Sequence, residues 1–363
     1  MLVNFIKHED SFNILHYLCF GEFMNKAIFI GIILTVTNCF AHTIIVKPLA
    51  LKKGDTVAIV APSFKFEKEQ LYEAIERLQS FGLNPIYDDT IFHQYGYFAG
   101  TEEERATSIN KAIRNDKVKA IFSLKGGYGN ATLLDKIDYK YLMHHPKIII
   151  GRSDLTALLI AIYTKSNLVS FYGPSASSKQ SKLSLEYEKN VLFQEQIETI
   201  LSNQMFNPED KNDKSSEYSA YTITSGTVRG QFIGGNLSVL VSLLGTPYFP
   251  KDWQGKILFL EDVNEDIYKV DRMLGQLKNA GVLNQISGFV FGTCQKCKSD
   301  ARGGFSLNEV IERYIKPLHI PAFSGAMIGH QEDIYTVPIG SMVEVNAQKK
   351  QIKFIESPTI NDI

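Results

Sequence analysis

Lys147-Ile148-Ile149-Ile150-Gly151-Arg152-Ser153-Asp154-Leu155-Thr156-Ala157-Leu158-Leu159 runs from a continuous apolar stretch through a short polar turn into an apolar helical pattern. An uninterrupted β-branched run, rather than an alternating one, reads as a strand buried on both faces of a parallel sheet. The helix after it is predicted over 155–165. Upstream, Thr56 to Val60 is a second β-rich run, closed by the turn Ala61-Pro62-Ser63. Leu71, Ile75, Leu78 and Phe81 then recur at helical spacing over 68–81, and Gly82 ends the pattern. A strand begins over 84–87, a helix follows over 102–115, and Ala120 to Leu124 is a further strand. Strands alternating with helices define an α/β domain with a parallel sheet, expected over 47–175.

Beyond it the pattern weakens. Residues 176–221 read as a linker holding one helix over 186–201 and a polar tract, Asn207 to Ser219. A second, smaller α/β unit is expected over 222–357. Gly234-Gly235-Asn236 opens a helix over 237–244, Lys256 to Leu260 is a buried strand, and a helix over 268–280 ends at Gly281. Phe289 to Phe291 and Ile334 to Val345 supply more strands.

The chain of 363 residues is 44% hydrophobic, enough for one or two real cores, so a disordered chain is excluded. Its 38 basic and 39 acidic residues nearly cancel, which gives no support for a nucleic-acid partner. Four cysteines are too few for a disulfide scaffold. Met24-Asn25-Lys26, the apolar stretch Ala27 to Phe40 and the small-x-small exit Cys39-Phe40-Ala41 together read as a secretory signal peptide. Residues 1–41 are thus expected to be an N-terminal extension and signal, with the true start expected at Met24. The stretch is too short for a comfortable membrane span, so the mature chain is expected to be exported to the periplasm without one. The rival expectation is a cytoplasmic protein with a longer N-terminus.

Several residues suit chemistry. Ser153 follows a buried strand and precedes a helix, where a hydroxyl stands outside the sheet beside free backbone N–H groups. The same position also suits a helix N-cap, and the pattern is not G-x-S-x-G. Gly126-Gly127-Tyr128-Gly129 lacks a nucleotide-loop signature but fits an anion or oxyanion nest at the carboxyl edge of a parallel sheet. Glu261 ends a buried strand, where a carboxylate orients an imidazole; with Asp262, Glu265 and Asp266 nearby, a solvated acidic loop is the alternative. His330 lies between an apolar stretch and a strand, and a lone histidine is more often structural. Cys294-Gln295-Lys296-Cys297 is one CxxC pair without partners for zinc, readable as a small disulfide loop or two thiols without a function.

Six blocks occur in one order: GDTVAIVAPS (54–63), KGGYGNATLLDKID (125–138), KIIIGRSDLTALL (147–159) with FYGP (171–174), GQFIGGNLSVLVSLLGTPYFP (230–250), KILFLEDVNEDIYKVDRMLGQL (256–277) and GHQEDIYTVPIG (329–340). In this the chain resembles the LD-carboxypeptidase family of serine peptidases, which includes the microcin-immunity peptidases. The resemblance implies a Rossmann-like N-terminal domain and a swivelling-type C-terminal α/β domain. It implies a triad of Ser153, Glu261 and His330, with the oxyanion held by the backbone N–H groups of Asp154 and of Gly126 or Gly127. The implied substrate is a muropeptide, cleaved at the L,D-bond before a terminal D-alanine, with no metal or organic cofactor. A homodimer is expected. Two positions depart from the family pattern: Lys125 stands where Arg is common, and Arg152 where Tyr or Phe is. The rivals are hydrolysis of a peptidyl-nucleotide antibiotic, as in self-immunity, and a non-catalytic muropeptide-binding protein, against which all three triad residue types speak.

Overall fold

The computed structural model describes residues 45–194, 200–202, 220–299 and 304–361. The expected signal peptide over 1–41, the Met24 start and the polar tract 207–219 lie outside the described residues. The described residues fall in one compact unit.

The first half is the expected alternation. In chain order it holds β1 (Thr56–Val60), α1 (Lys68–Ser80), β2 (Asn84–Ile86), α2 (Glu102–Arg114), β3 (Val118–Ser123), α3 (Tyr139–His144), β4 (Ile148–Gly151), α4 (Thr156–Ser166), β5 (Ser170–Tyr172) and α5 (Lys182–Phe193). The sheet runs β2-β1-β3-β4-β5, all parallel. That is the doubly wound order whose direction reverses between β1 and β3, and ligands bind in such sheets outside the carboxyl ends at the reversal. The loops at those ends are the Ala61-Pro62-Ser63 turn, the Gly126-Gly127 loop and the Ser153 turn. α2 starts cleanly because Thr101 and Glu104 form a reciprocal capping box.

The second half contains β6 (Ile200–Ser202), β7 (Tyr221–Thr224), β8 (Thr227–Asn236), α6 (Leu237–Ser242), β9 (Ile257–Val263), α7 (Ile267–Asn279), β10 (Gly288–Gln295), α8 (Leu307–Ile315), β11 (Ala322–Ser324), β12 (Val337–Ile339), β13 (Met342–Asn346) and β14 (Gln351–Phe354). Its eight-stranded sheet has the order β6-β14-β13-β8-β9-β10-β11-β7, parallel from β8 to β11 and antiparallel at both ends. The α/β class, with a first sheet built on parallel strands, is therefore as expected.

Two expectations need correction. The stretch 334–345 does not serve one sheet: β12 pairs antiparallel with β5 and extends the first sheet, while β13 joins the second. The chain thus returns to the first sheet only seven residues after His330. The helix expected over 186–201 runs from Lys182 to Phe193, starting where the Ser181 hydroxyl accepts from the Ser184 N–H; residues 195–199 lie outside the described residues. A 3₁₀ helix, Asn130–Lys136, follows the glycine loop.

α4 shows why the sheets meet where they do. Apart from Thr164 and Lys165 its residues are buried, because it packs on the first sheet and also against β8 and α6. A helix that is apolar all round must be covered all round. The Asn236 N–H at the end of β8 donates to Thr156 Oγ1 at the first turn of α4 (3.0 Å). The Ser153 turn and the Glu261 strand are thereby held in one body.

Candidate active site

Ser153 is not a helix cap. It sits in a 3₁₀ turn, Ser153–Leu155, with a left-handed backbone (φ +60°). A non-glycine residue there costs about 1–2 kcal/mol, and such strain on a strand–turn–helix junction stands the side chain out of the sheet. Gly126 packs directly against it: a Cβ on Gly126 would lie 3.2 Å from Ser153 Cβ and 3.4 Å from its Oγ. Gly127, at φ +132°, packs on Phe64, whose ring a Cβ would overlap. Gly126 thus brings backbone, with no side chain between, to the serine hydroxyl.

Asp154 fixes this arrangement. Its buried Oδ2 accepts from Ser63 Oγ (2.7 Å), Asn130 Nδ2 (2.7 Å) and the Asn130 N–H (3.0 Å). One carboxylate thus ties together the loops after β1, β3 and β4. Arg105 from α2 supports them from behind, donating to Pro62 O (2.6 Å) and Gly129 O (3.2 Å) with its guanidinium over the Phe98 ring. Replacing Asp154 by Ala strands buried donors, at about 1–3 kcal/mol for each group left unpaired. Asp154→Ala is therefore expected to lower the urea midpoint clearly, and an unchanged midpoint would contradict the anchoring role.

Glu261 and His330 are brought together. Glu261 is fully buried, and its Oε2 lies 2.7 Å from His330 Nδ1. Its Oε1 accepts from Tyr172 Oη (2.6 Å) and Asn236 Nδ2 (3.1 Å). Burial alone would lift the Glu261 carboxyl, but the His330 charge and the bonds from His330, Tyr172 and Asn236 outweigh it and hold the group below its usual value. An ionised partner at Nδ1 keeps the proton on that nitrogen and leaves Nε2 as the acceptor. The solvated-loop alternative for Glu261 and Asp262 is overturned, since both are buried.

Tyr172 links this pair to the serine. Its hydroxyl accepts from the Ser153 N–H (3.1 Å) while donating to Glu261. Burial, and then the Glu261 charge, push the phenol well above its ordinary value, so it stays a donor. A second tie runs through Arg152, whose Nη1 donates to the carbonyl of Gly329, beside His330 (3.0 Å). From β10, Thr293 holds the same loop: its N–H donates to Ile328 O (3.0 Å) and its Oγ1 to Gln331 Oε1 (2.6 Å). The next residue, Cys294, forms a disulfide with Cys297, so the CxxC pair is the small disulfide loop.

Tyr172 and Asn236 carry no functional reading in the sequence pattern alone. Asn236 was visible only as the residue opening a helix, and its Oδ1 does accept from the Val239 N–H (3.2 Å). Its other face donates to Glu261 and to Asp262 Oδ1 (2.9 Å). Asp262 also accepts from the Val263 N–H (2.9 Å) and the Ser238 N–H (3.0 Å). Burial and the Glu261 charge nevertheless push its carboxyl up to about 7, from an ordinary 3.8. A folded value above the unfolded one favours the native state at low pH, and that contribution is lost as pH rises through about 7. Asparagine mimics the neutral form at every pH. The melting temperature of Asp262→Asn, relative to wild type, is therefore expected to increase from about pH 5 to about pH 9. A constant difference would show that Asp262 is ionised throughout.

A buried carboxylate on an imidazole, beside a serine on a strained turn, is the equipment of an acyl-transfer hydrolase. The LD-carboxypeptidase N-terminal domain model matches residues 57–173, and the LD-carboxypeptidase C-terminal domain model matches 229–345. The chain belongs to the LD-carboxypeptidase family, and it is a hydrolase, a serine-type carboxypeptidase. A probable murein peptide carboxypeptidase of Bacillus subtilis is 35% identical over 307 residues, covering 84% of this chain and 92% of that protein. The apo structure of the microcin C7 self-immunity protein MccF superposes with a TM-score of 0.77 at 28% identity, covering 87% of this chain and 100% of the other. A muramoyltetrapeptide carboxypeptidase from Oxalobacter formigenes does so with a TM-score of 0.69 at 29% identity, covering 82% and 97%. Among the described residues no helix is long and apolar enough to cross a membrane.

Proposed function

We propose that this carboxypeptidase cleaves the L,D-bond of murein tetrapeptides and releases the terminal D-alanine, with Ser153 as nucleophile, His330 as base and Glu261 as the orienting carboxylate. The observation that carries the assignment is the buried 2.7 Å contact between Glu261 and His330, joined through Tyr172 to the strained Ser153 turn. His330 Nε2 takes the Ser153 proton as Oγ attacks the carbonyl carbon of the scissile bond. The N–H groups of Gly127 and Asp154 receive the developing oxyanion. The imidazolium, stabilised by Glu261, then gives its proton to the leaving amine, and D-alanine departs from an acyl-enzyme. A water deprotonated by His330 hydrolyses that ester and restores the serine.

The murein assignment draws on the relatives named for murein and muramoyl peptides. The test is incubation of the purified protein with tetrapeptide muropeptides, followed by mass spectrometry. Loss of one alanine is expected, and an unchanged substrate would reject the assignment. The likeness to MccF favours a second reading, hydrolysis of a peptidyl-nucleotide amide in self-immunity; the same assay with such a conjugate separates the two. We further propose export, with the mature chain beginning near His42. The Cys294–Cys297 disulfide supports it, because such bonds persist in oxidising compartments. An intact Met1 or Met24 terminus in the cytosolic fraction would contradict it.

A further inference from the structure

Buried or half-buried cations in this fold have visible partners. Arg77 meets the fully buried Glu188 at 2.6 Å, and Arg105 is held by two carbonyls and an aromatic face. Arg152 differs. It continues β4 in an extended conformation (φ −137°, ψ −176°), immediately before Ser153. Its two hydrogen bonds go to neutral oxygens, Gly329 O (3.0 Å) and Ser178 Oγ (3.3 Å). Among the described residues no carboxylate forms an ion pair with it. The nearby Glu261 is already engaged by His330, Tyr172 and Asn236. A partly desolvated guanidinium with spare donors and no counterion is arranged to receive an anion.

Its location says which anion. In the reaction proposed above, on which this inference rests, His330 protonates the leaving amine, so the leaving residue lies on the His330 side of Ser153. The carboxyl carbon of that residue is three bonds from the scissile carbonyl carbon, within about 4 Å of it. Arg152 Cα is about 3.8 Å from Ser153 Cα, and its guanidinium is fastened to the residue before His330. Lys125 precedes Gly126, which packs on Ser153 from the glycine-loop side, where the oxyanion is expected.

We propose that Arg152 is a specificity-determining residue that binds the terminal carboxylate of the leaving residue, and so restricts the enzyme to substrates with a free carboxyl end. The carboxylate takes the guanidinium donors not used by Gly329 and Ser178. No bond is made or broken in this step.

The experiment compares kcat/KM for a tetrapeptide ending in free D-alanine with that for the same peptide ending in D-alaninamide. Wild type is expected to prefer the acid by on the order of 100-fold, the scale of losing one close charge pair. Arg152→Gln should bring the acid down toward the amide, so that the ratio falls to within a few-fold of one. Arg152→Lys, which keeps the charge but not the planar fork, should retain part of the preference. It also serves if the Gln variant does not fold. Loosening of the Gly329 loop would slow both substrates alike, leaving the ratio unchanged. An unchanged ratio in a wild type that cleaves both peptides, or a ratio that collapses only in Lys125→Gln, overturns the Arg152 assignment alone. A wild type that releases alanine from neither peptide overturns the murein reading, and this proposal with it.

Discussion

Ser153→Ala is expected to lower turnover of a tetrapeptide by about 10⁶-fold, the scale seen when a triad nucleophile is removed, with the melting temperature unchanged or slightly raised. The hydroxyl is one heavy atom on a half-buried side chain, and the interaction that positions the turn comes from the Ser153 backbone N–H, which alanine keeps. The left-handed backbone at this position is no worse for alanine than for serine. Loss of activity and loss of fold are therefore separable here. A variant that retains wild-type turnover would show that the nucleophile lies elsewhere.

The second large effect is expected at Glu261. Glutamine is nearly isosteric but replaces one acceptor oxygen with a donor NH₂. The existing partners of Glu261 at its two oxygens are Tyr172 Oη, Asn236 Nδ2 and His330 Nδ1. If the amide nitrogen faces His330, the ring must present Nδ1 as an acceptor, and its proton moves to Nε2, where a base needs a lone pair. If it faces Tyr172 and Asn236, donors oppose donors in a site without water access. Either outcome is costly, and the tautomer error alone is worth about 10⁴-fold in kcat in a comparable triad. Glu261→Gln should thus lose roughly that factor and, unlike Ser153→Ala, should also lose stability. Steady-state kinetics with urea unfolding checks both. A variant with normal kcat would remove Glu261 from the catalytic group.

The difference between these two variants follows the part of the site that sequence could reach. The strand–turn–helix at 147–159 is local, so the buried strand, the polar turn and the serine on it are all legible from hydrophobic pattern. Glu261 and His330 are not legible that way. Local pattern leaves each with a bland alternative, and the family's order of blocks was needed to join them. Tyr172 escapes altogether, because its role is a bridge between residues 19 and 89 positions away, and a buried tyrosine next to Phe171 reads as core. Asn236 escapes because capping a helix already explains an asparagine. The placement of β12 escapes for another reason: three residues, Val337 to Ile339, carry no periodicity that distinguishes one sheet from the other. The Asp154 anchor was likewise invisible, since an aspartate after a strand reads as a helix start, while its partners Ser63 and Asn130 lie 91 and 24 residues away.

If Ser153 is the nucleophile, catalysis passes through its hydroxyl. The most direct measurement is treatment of the wild-type enzyme with a fluorophosphonate, followed in parallel by residual tetrapeptide hydrolysis and by mass spectrometry of the proteolytic peptides. Activity should disappear in proportion to a single adduct on Ser153, and tetrapeptide should slow both. An enzyme that still releases alanine with Ser153 fully modified, or one inactivated with Ser153 untouched, would contradict the account.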